Sequence, residues 1–211
     1  MSGKPTDGII SRMINRRIST RISKLIVSRG IPLTPNQATL ISFIISAIPL
    51  PLYILGHPVI AGIIVQLASI IDGVDGEIAR LRGLTSSFGA FMDAVLDRVA
   101  DIMMLLGASI YVLKTLATPT ILHFTTMFLA ISGSMLVSYL HGRAEKDLGM
   151  HPVYFGKTPL IASRDVRLFI LFVGSLIGYI FESLLVIAVL SLTYVFLRLI
   201  EIFKYIIAAK H

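Results

Sequence analysis

Six long apolar segments restrict how this chain can fold. They run from about residue 37 to 55, 58 to 81, 87 to 113, 120 to 139, 160 to 180 and 184 to 207. At 1.5 Å per residue, each is long enough to cross a hydrocarbon core of roughly 30 Å. Hydrophobic residues make up 55% of the 211 residues and charged residues only 15%, which is far from the composition of a soluble domain. The sequence therefore predicts an all-α integral membrane protein with six transmembrane helices.

A basic amphipathic segment precedes the first apolar segment. Between Ile9 and Ile31, apolar residues recur at helical spacing and Arg and Lys residues lie between them. This helix is too charged to cross a bilayer, so we expect it to lie at the membrane surface, with its apolar stripe facing lipid or the helix bundle. An ordinary soluble helix is the alternative. The chain then divides into a juxtamembrane helix, residues 1–33, and a six-span domain, residues 34–211.

The cationic residues indicate the orientation in the membrane. With six spans, seventeen of the 19 Lys and Arg residues fall on the side that holds both termini, one falls on the other side, and Arg98 lies inside a span. Positive residues accumulate in cytoplasmic loops, which predicts a multi-pass protein of the cell membrane with cytoplasmic termini. The net charge of +7 fits contact with anionic membrane lipids better than binding of nucleic acid.

Four aspartates interrupt the second and third apolar segments. Asp72 and Asp75 share one face of the second helix, and Asp93 and Asp97 share one face of the third. Asp72 lies as far before the turn between these helices as Asp97 lies after it, and Asp75 and Asp93 are similarly matched. The four carboxylates should therefore meet at one depth, about 15 Å from the cytoplasmic end.

Four carboxylates in a low dielectric require counter-cations, and Arg80 and Arg98 cannot neutralise them alone. The chain has no Cys, so a metal must take oxygen or imidazole ligands. All-oxygen ligation favours Mg²⁺, then Mn²⁺ or Ca²⁺, and the number of carboxylates suits a site for two ions. A divalent-cation transporter is the alternative from another class. It is disfavoured because no second acidic set lies in the opposite half of any span.

The aspartates belong to a longer pattern of fixed spacing. Asp72-Gly73-Val74-Asp75-Gly76-Glu77-Ile78-Ala79-Arg80 is followed after eight residues by Gly89, then at intervals of three residues by Asp93 and Asp97. This pattern resembles the signature of the CDP-alcohol phosphotransferases at all eight fixed positions. The resemblance extends to the predicted topology and to three further stretches: Thr34-Pro35-Asn36, Ser138-Tyr139 through Arg143-Ala144-Glu145, and Arg164 to Arg167.

The resemblance implies an enzyme that transfers a phosphoalcohol from a CDP-alcohol to an acceptor hydroxyl and releases CMP. It implies that the four aspartates hold two Mg²⁺ ions, with Mn²⁺ possible in their place, and that Asp97 also accepts the proton of the attacking hydroxyl. Small residues would make room for the cytidine, and polar residues would contact nucleotide or phosphate; together these nucleotide-binding residues are Gly76, Ala79, Arg80, Asn36 and Ser86. Taken alone, Gly76, Ala79 and Gly89 are better explained by close helix packing, and it is their place on the carboxylate faces that favours the functional interpretation.

The acceptor site is predicted from basic residues between the fourth and fifth spans. Arg143, Lys157, Arg164 and Arg167 should lie over the aspartates, where they could clamp the phosphate of an inositol phosphate or a glycerol phosphate. The alternative is that they are merely cytoplasmic charges of a membrane protein. Asp101, one turn beyond Asp97, is left as a supporting or a packing residue.

The opening residues suggest a subtype. Lys4 to Arg12, with Ile14 to Ser19, resembles the junction in fused enzymes that carry an inositol-phosphate cytidylyltransferase ahead of a di-inositol phosphate phosphate synthase. The donor would then be CDP-inositol and the acceptor inositol phosphate, and a fused or partner cytidylyltransferase would supply the donor. The alternative is a phospholipid synthase that uses CDP-diacylglycerol or CDP-archaeol. The resemblance also implies a homodimer.

Overall fold

The computed structural model describes residues 8–208, and every regular element among them is helical. A π-helical turn, Ser11–Asn15, leads into α1 (Arg16–Ser28). The remaining elements are α2 (Pro35–Ala47), α3 (Pro49–Ile54), α4 (Pro58–Arg82), α5 (Ser87–Thr115), α6 (Ile121–Leu148), a 3₁₀ turn (Pro152–Tyr154), α7 (Arg164–Ile177) and α8 (Ile180–Ala208). The predicted all-α fold is confirmed. Lys4 to Asp7 of the predicted junction, and Lys210, lie outside the described residues.

The first predicted span consists of two helices. The Thr34 hydroxyl accepts a hydrogen bond from the Gln37 amide at 3.3 Å, and the Gln37 side chain accepts one from the Thr34 amide at 2.9 Å, which forms the N-terminal cap of α2. The helix breaks at Ile48 because Pro49, the next residue, has no amide hydrogen to donate. The apolar pattern did not predict this break. The prolines at positions 49 and 51 did indicate an interruption of the helix.

Within residues 8–208, four helical segments are long and apolar enough to cross a membrane: Pro35–Ile54, Pro58–Arg82, Ile121–Leu148 and Ile180–Ala208. The other two predicted spans are present as helices of a different character. The third, α5, carries four ionisable residues between Asp93 and Asp101. The fifth begins only at Arg164 and ends at Ile177, so α7 has 14 residues instead of the 21 expected from the apolar run.

Small residues bring the membrane helices close together. A side chain at Gly107 would place its Cβ 2.9 Å from the Leu50 Cα, so α5 packs directly against the backbone of α3. Gly62 on α4 packs against Ser175 on α7, whose hydroxyl lies 2.5 Å from the Tyr53 hydroxyl. Such contacts are typical of helix interfaces in membranes, where packing and hydrogen bonds replace the hydrophobic driving force.

The amphipathic helix turns its polar face toward the bundle. Ser19 and Ser23 of α1 are buried against α4, whereas Met13 is 60% exposed and Ile18 is 39% exposed. Ile22 packs against a small cluster formed with α2 and α4. Most of the apolar stripe therefore points away from the protein, the orientation expected if it contacts lipid.

Candidate active site

A short turn aligns the two aspartate-bearing helices. Gly83, with a φ of 65°, ends α4 in the left-handed conformation, and the Ser86 hydroxyl caps α5 by accepting a hydrogen bond from the Gly89 amide at 3.0 Å. The chain therefore reverses direction within a few residues. As a result, the end of α4 and the beginning of α5 face the same region.

Three of the four aspartates form one cluster. Carboxylate oxygens of Asp72, Asp93 and Asp97 lie within 4.8 Å of one another. Asp75 is buried beside this cluster and engaged elsewhere, accepting hydrogen bonds from the Thr39 hydroxyl and the Gly76 amide, both at 2.5 Å. Three of the four carboxylates therefore meet as the sequence predicted. The fourth, Asp75, lies beside them with its side chain turned toward α2.

The clustered oxygens fit a divalent cation. Oxygen ligands around Mg²⁺ lie about 2.1 Å from the ion and therefore about 3 to 4 Å from one another, a spacing that small side-chain rotations of these three aspartates would reach. The donors are all carboxylate oxygens, the type that Mg²⁺ and Mn²⁺ prefer. The cluster can therefore hold a hard divalent ion.

Arg164 supplies positive charge to this cluster from the start of α7. Its Nη1 lies 2.5 Å from Asp72 Oδ1 and 3.1 Å from Asp97 Oδ1, and its Nε donates to Asp101 Oδ1 at 2.7 Å. A guanidinium can join several carboxylates in this way because its donors are fixed in one plane. The sequence predicted Arg164 for the acceptor phosphate, and its role as the bridge among aspartates was missed.

Asp101 is the partner that holds the two arginines of α7. It is 2% exposed and lies 2.7 Å from Arg164 Nε and 3.5 Å from Arg167 Nη2. Arg167 is itself only 3% exposed and donates to the Ala162 carbonyl at 2.8 Å. Asp101 therefore supports the cluster through Arg164. This contact favours the interpretation as a supporting residue over that as a packing residue.

The smaller of two cavities at the cluster gathers every residue predicted to contact the nucleotide. Its volume is about 240 Å³. The residues that line it include Asn36, Asp75, Gly76, Ala79, Arg80, Ser86, Gly89 and Asp93. The geometry also explains the glycine at 89, because a Cβ there would lie 3.1 Å from Ser86 Oγ and 3.3 Å from Asn36 Oδ1.

The larger cavity, of about 630 Å³, lies on the other side of the cluster and is bordered by basic residues. Two of the four residues predicted for the acceptor line it, Arg164 and Arg167, together with Arg16 and Arg98. Arg98, next in sequence to Asp97, could have been proposed from that position alone. The other two predicted residues are not among those that line it: exposed Arg143 pairs with Asp147 at 2.6 Å, and Lys157 is exposed.

A polar network holds the segment between α6 and α7 over this cavity. Buried Arg198 of α8 donates to the Pro152 carbonyl at 2.9 Å and pairs with Glu201 at 2.8 Å, and Glu201 accepts from the Thr158 amide at 2.9 Å. His151, which lines the cavity, packs against the His141 ring in a tilted arrangement, with 4.6 Å between the ring centroids. Burial lowers the pKa of His151, and Arg198 lowers it further against the opposing effect of Glu145, so the imidazole is neutral at neutral pH. Counting charges in the sequence gave no sign of this network.

Comparison with known proteins places these features in one family. The family model of CDP-alcohol phosphatidyltransferases matches residues 32–206. A bifunctional IPC transferase and DIPP synthase of Archaeoglobus fulgidus is 37% identical over 205 residues, which cover 93% of this chain and 39% of that protein. The chain spans between 29% and 45% of the length of four bifunctional relatives of this name. An archaetidylinositol phosphate synthase of Pyrococcus horikoshii is 34% identical over 171 residues, covering 81% of this chain and 83% of that protein.

A solved structure shares the fold over most of the chain. The crystal structure of phosphatidylinositol phosphate synthase from Mycobacterium tuberculosis with CDP-DAG bound superposes with a TM-score of 0.72 at 25% identity, covering 87% of this chain and 92% of that one. Another crystal structure of that protein is a complex with manganese and citrate. Because the family model spans most of the chain and the relatives are synthases or transferases, this chain is an enzyme of the CDP-alcohol phosphatidyltransferase family.

Proposed function

We propose that this chain transfers a phosphoalcohol from a CDP-alcohol to the hydroxyl of a phosphorylated polar acceptor and releases CMP. One observation carries the proposal: the aspartate cluster joins the two cavities. Asp93 lines the smaller cavity and Asp72 the larger one, and their carboxylate oxygens lie within 4.8 Å of each other. A donor in one cavity and an acceptor in the other would meet at these carboxylates.

The smaller cavity is the proposed donor site. Its walls of Gly76, Ala79 and Gly89 leave space for a flat nucleotide, and Arg80 at its edge offers a guanidinium to phosphate. Asp72, Asp75, Asp93 and Asp97 would hold two Mg²⁺ or Mn²⁺ ions, whose positive charge would offset that of the pyrophosphate and of the departing CMP. The positive charge of Arg164 limits repulsion among the carboxylates, so the cluster can form.

Asp97 is the proposed general base. The acceptor hydroxyl oxygen attacks the phosphorus that carries the donated alcohol, the bond from this phosphorus to the CMP oxygen breaks, and the hydroxyl proton moves to Asp97. Arg98 Nη2 lies 3.5 Å from Asp97 Oδ2, and the same guanidinium donates to the Ser138 hydroxyl on α6. These contacts restrict the position of the Asp97 carboxylate, whose oxygen lies within 4.8 Å of that of Asp72 at the wall of the larger cavity.

For the substrates, we favour CDP-inositol as donor and inositol phosphate as acceptor, giving di-inositol phosphate phosphate. Support comes from the bifunctional relatives, of which the Archaeoglobus fulgidus protein matches nearly all of this chain. The second candidate is a lipid donor, CDP-archaeol or CDP-diacylglycerol. It is favoured by the Pyrococcus horikoshii relative, most of whose length this chain covers, and by the CDP-DAG bound to the structural neighbour.

In the membrane, we propose that α5 and α7 complete a set of six spans around the cluster and that both cavities open to the cytoplasm. The excess of cationic residues on that side supports this orientation. A soluble donor would then reach the site from the cytosol, where a fused or partner cytidylyltransferase would produce it. A homodimer is proposed from the family resemblance alone.

The test is CMP release by the purified chain in lipid nanodiscs with Mg²⁺. One reaction contains CDP-inositol and inositol phosphate, another contains CDP-archaeol and inositol phosphate, and controls omit the acceptor or add EDTA. Release that requires CDP-inositol, the acceptor and the metal supports the favoured substrates. Release only with the lipid donor would replace them by the second candidate, and no release with any CDP-alcohol would contradict the proposed reaction.

A further inference from the structure

The amphipathic segment is fastened to the bundle along its polar face. We call residues 11–28, the π-helical turn and α1 together, the interfacial helix. At its beginning, the Ser11 amide donates to Asp165 Oδ2 at 2.6 Å. Asn15, 4% exposed, donates to the Ser69 hydroxyl at 3.0 Å and accepts from Gln66 Nε2 at 3.1 Å. Each contact joins the helix to a membrane helix that borders the active site.

Glu77 of α4 makes the third and most highly charged contact. Its Oε1 accepts hydrogen bonds from Ser19 Oγ at 2.9 Å, from Arg16 Nη1 at 3.1 Å and from Thr20 Oγ1 at 3.2 Å. Glu77 is 8% exposed. A buried carboxylate is stabilised by hydrogen-bond donors, and here the three donors to Oε1 all come from the interfacial helix.

The fastened face lines the larger cavity. Ser11, Asn15, Arg16 and Ser19 border it, and Asp72 of the carboxylate cluster borders it as well. The residues that line the smaller cavity, by contrast, all lie between Pro35 and Asp93. The interfacial helix thus contributes to the proposed acceptor site and contributes nothing to the proposed donor site.

From this asymmetry we infer that the interfacial helix is a wall of the acceptor cavity and that Glu77 is the positioning residue that holds this wall in place. The inference rests on the proposed function and deepens it by assigning an acceptor-specific role to a helix outside the six spans. Glu77 touches neither cavity, so it acts through Arg16, Ser19 and Thr20.

The kinetic test compares Glu77→Ala with Glu77→Gln. Glu77→Ala removes every acceptor of the contact and should raise the KM for inositol phosphate by about tenfold, while the KM for the CDP-alcohol stays within about twofold of wild type. Glu77→Gln keeps one carbonyl oxygen, so its KM for inositol phosphate should lie between those of wild type and Glu77→Ala. Arg17→Ala is the control, because Arg17 lies on the exposed side of the same helix and borders neither cavity. Equal changes in both KM values, or none, would overturn the inference.

A crosslink tests the position of the wall without reference to activity. A Cβ at Gly73 would lie 3.8 Å from the Ser19 Cβ. That separation is close to the mean of about 3.8 Å in disulfides, and the chain has no cysteine of its own. The double variant Ser19→Cys, Gly73→Cys should therefore form a disulfide on mild oxidation. Failure to crosslink would show that the helix does not lie where the inference requires.

The two tests combine in a rescue experiment. The triple variant combines Glu77→Ala with Ser19→Cys and Gly73→Cys. Its oxidation should lower the KM for inositol phosphate toward the value of the oxidised double variant, and reduction of the disulfide should raise this KM again. A crosslinked triple variant that stays as impaired as its reduced form would contradict the positioning role. Absence of CMP release from the wild-type chain with every donor would instead contradict the proposed function, so the two failures are distinguishable.

Discussion

Arg164 shows how one side chain can stabilise a site built from like charges. Two of its nitrogen atoms, Nη1 and Nε, contact Asp72, Asp97 and Asp101, and its side chain is only 14% exposed. Without it, the clustered carboxylates would face each other in a low dielectric with Arg98 as the nearest remaining cation. The stability of the metal-free protein should therefore depend on this residue.

Arg164→Ala should make folding depend more strongly on metal. We expect the variant to lose about 3 kcal/mol of stability without metal, and added Mg²⁺ to raise its melting temperature by roughly 4 °C more than it raises that of wild type. Differential scanning fluorimetry in detergent measures both values. Arg164→Lys keeps the charge and should show a smaller effect, and exposed Lys157→Ala is the control. A metal-induced shift equal to that of wild type would contradict the counter-charge role.

Asp97→Asn should abolish turnover and leave the fold and most nucleotide binding intact. The amide cannot accept the proton of the acceptor hydroxyl, so CMP release should fall by about 10³-fold. Two measurements check this prediction: the rate of CMP release, and the affinity for the CDP-alcohol determined by calorimetry. Asp147→Asn makes the same chemical change at an exposed residue paired with Arg143 and should be silent. Substantial CMP release from Asp97→Asn would remove the assignment as general base.

At the scale of elements, close helix contacts hold α5 in position relative to α3 and α4. Gly107 is the closest of these contacts to a backbone, with Leu50 Cα 2.9 Å from the place of a Cβ. α5 also carries Asp93, Asp97 and Asp101, so its contact with α3 fixes the position of these carboxylates along the axis of α5. Separating the two helices would displace the site.

Gly107→Ala should destabilise the protein by about 1 to 3 kcal/mol, because the backbone of α3 cannot move aside as a side chain would. Gly142→Ala is the matched control. Gly142 is also helical, nothing lies within 4 Å of a Cβ there, and the change should stabilise by about 0.5 to 1 kcal/mol through helix propensity. Thermal unfolding of both variants in one detergent compares them, and equal shifts would contradict the close contact.

At the scale of the whole molecule, the number of spans decides which side of the membrane each turn occupies. His57, Ser28 and Tyr179 are exposed, and each can carry the only cysteine of the chain. In a six-span arrangement, His57→Cys and Tyr179→Cys should react with an impermeant maleimide in intact cells, and Ser28→Cys only after lysis. If α7 did not cross, Tyr179→Cys would be protected together with Ser28→Cys.

The sequence by itself determined the helical class, the membrane setting and the aspartate cluster. Apolar runs of membrane length, helical periodicity and signature spacing are local properties, and they place Asp72 and Asp97 on facing helices whatever the rest of the chain does. The family resemblance identified five residues that line the smaller cavity, Gly76, Ala79, Arg80, Asn36 and Ser86, and the whole lining lies within one stretch of the chain, residues 35–93.

Only the tertiary structure decided what surrounds the larger cavity. Its lining comes from the interfacial helix, from α4 to α7 and from the segment before α7, and no local pattern states which of many arginines meet there. Arg143 and Arg164 look equivalent in sequence, yet one pairs with Asp147 at an exposed position and the other bridges buried aspartates. The difference arises from long-range packing, which brings α7 onto α4 and leaves the end of α6 in contact with solvent.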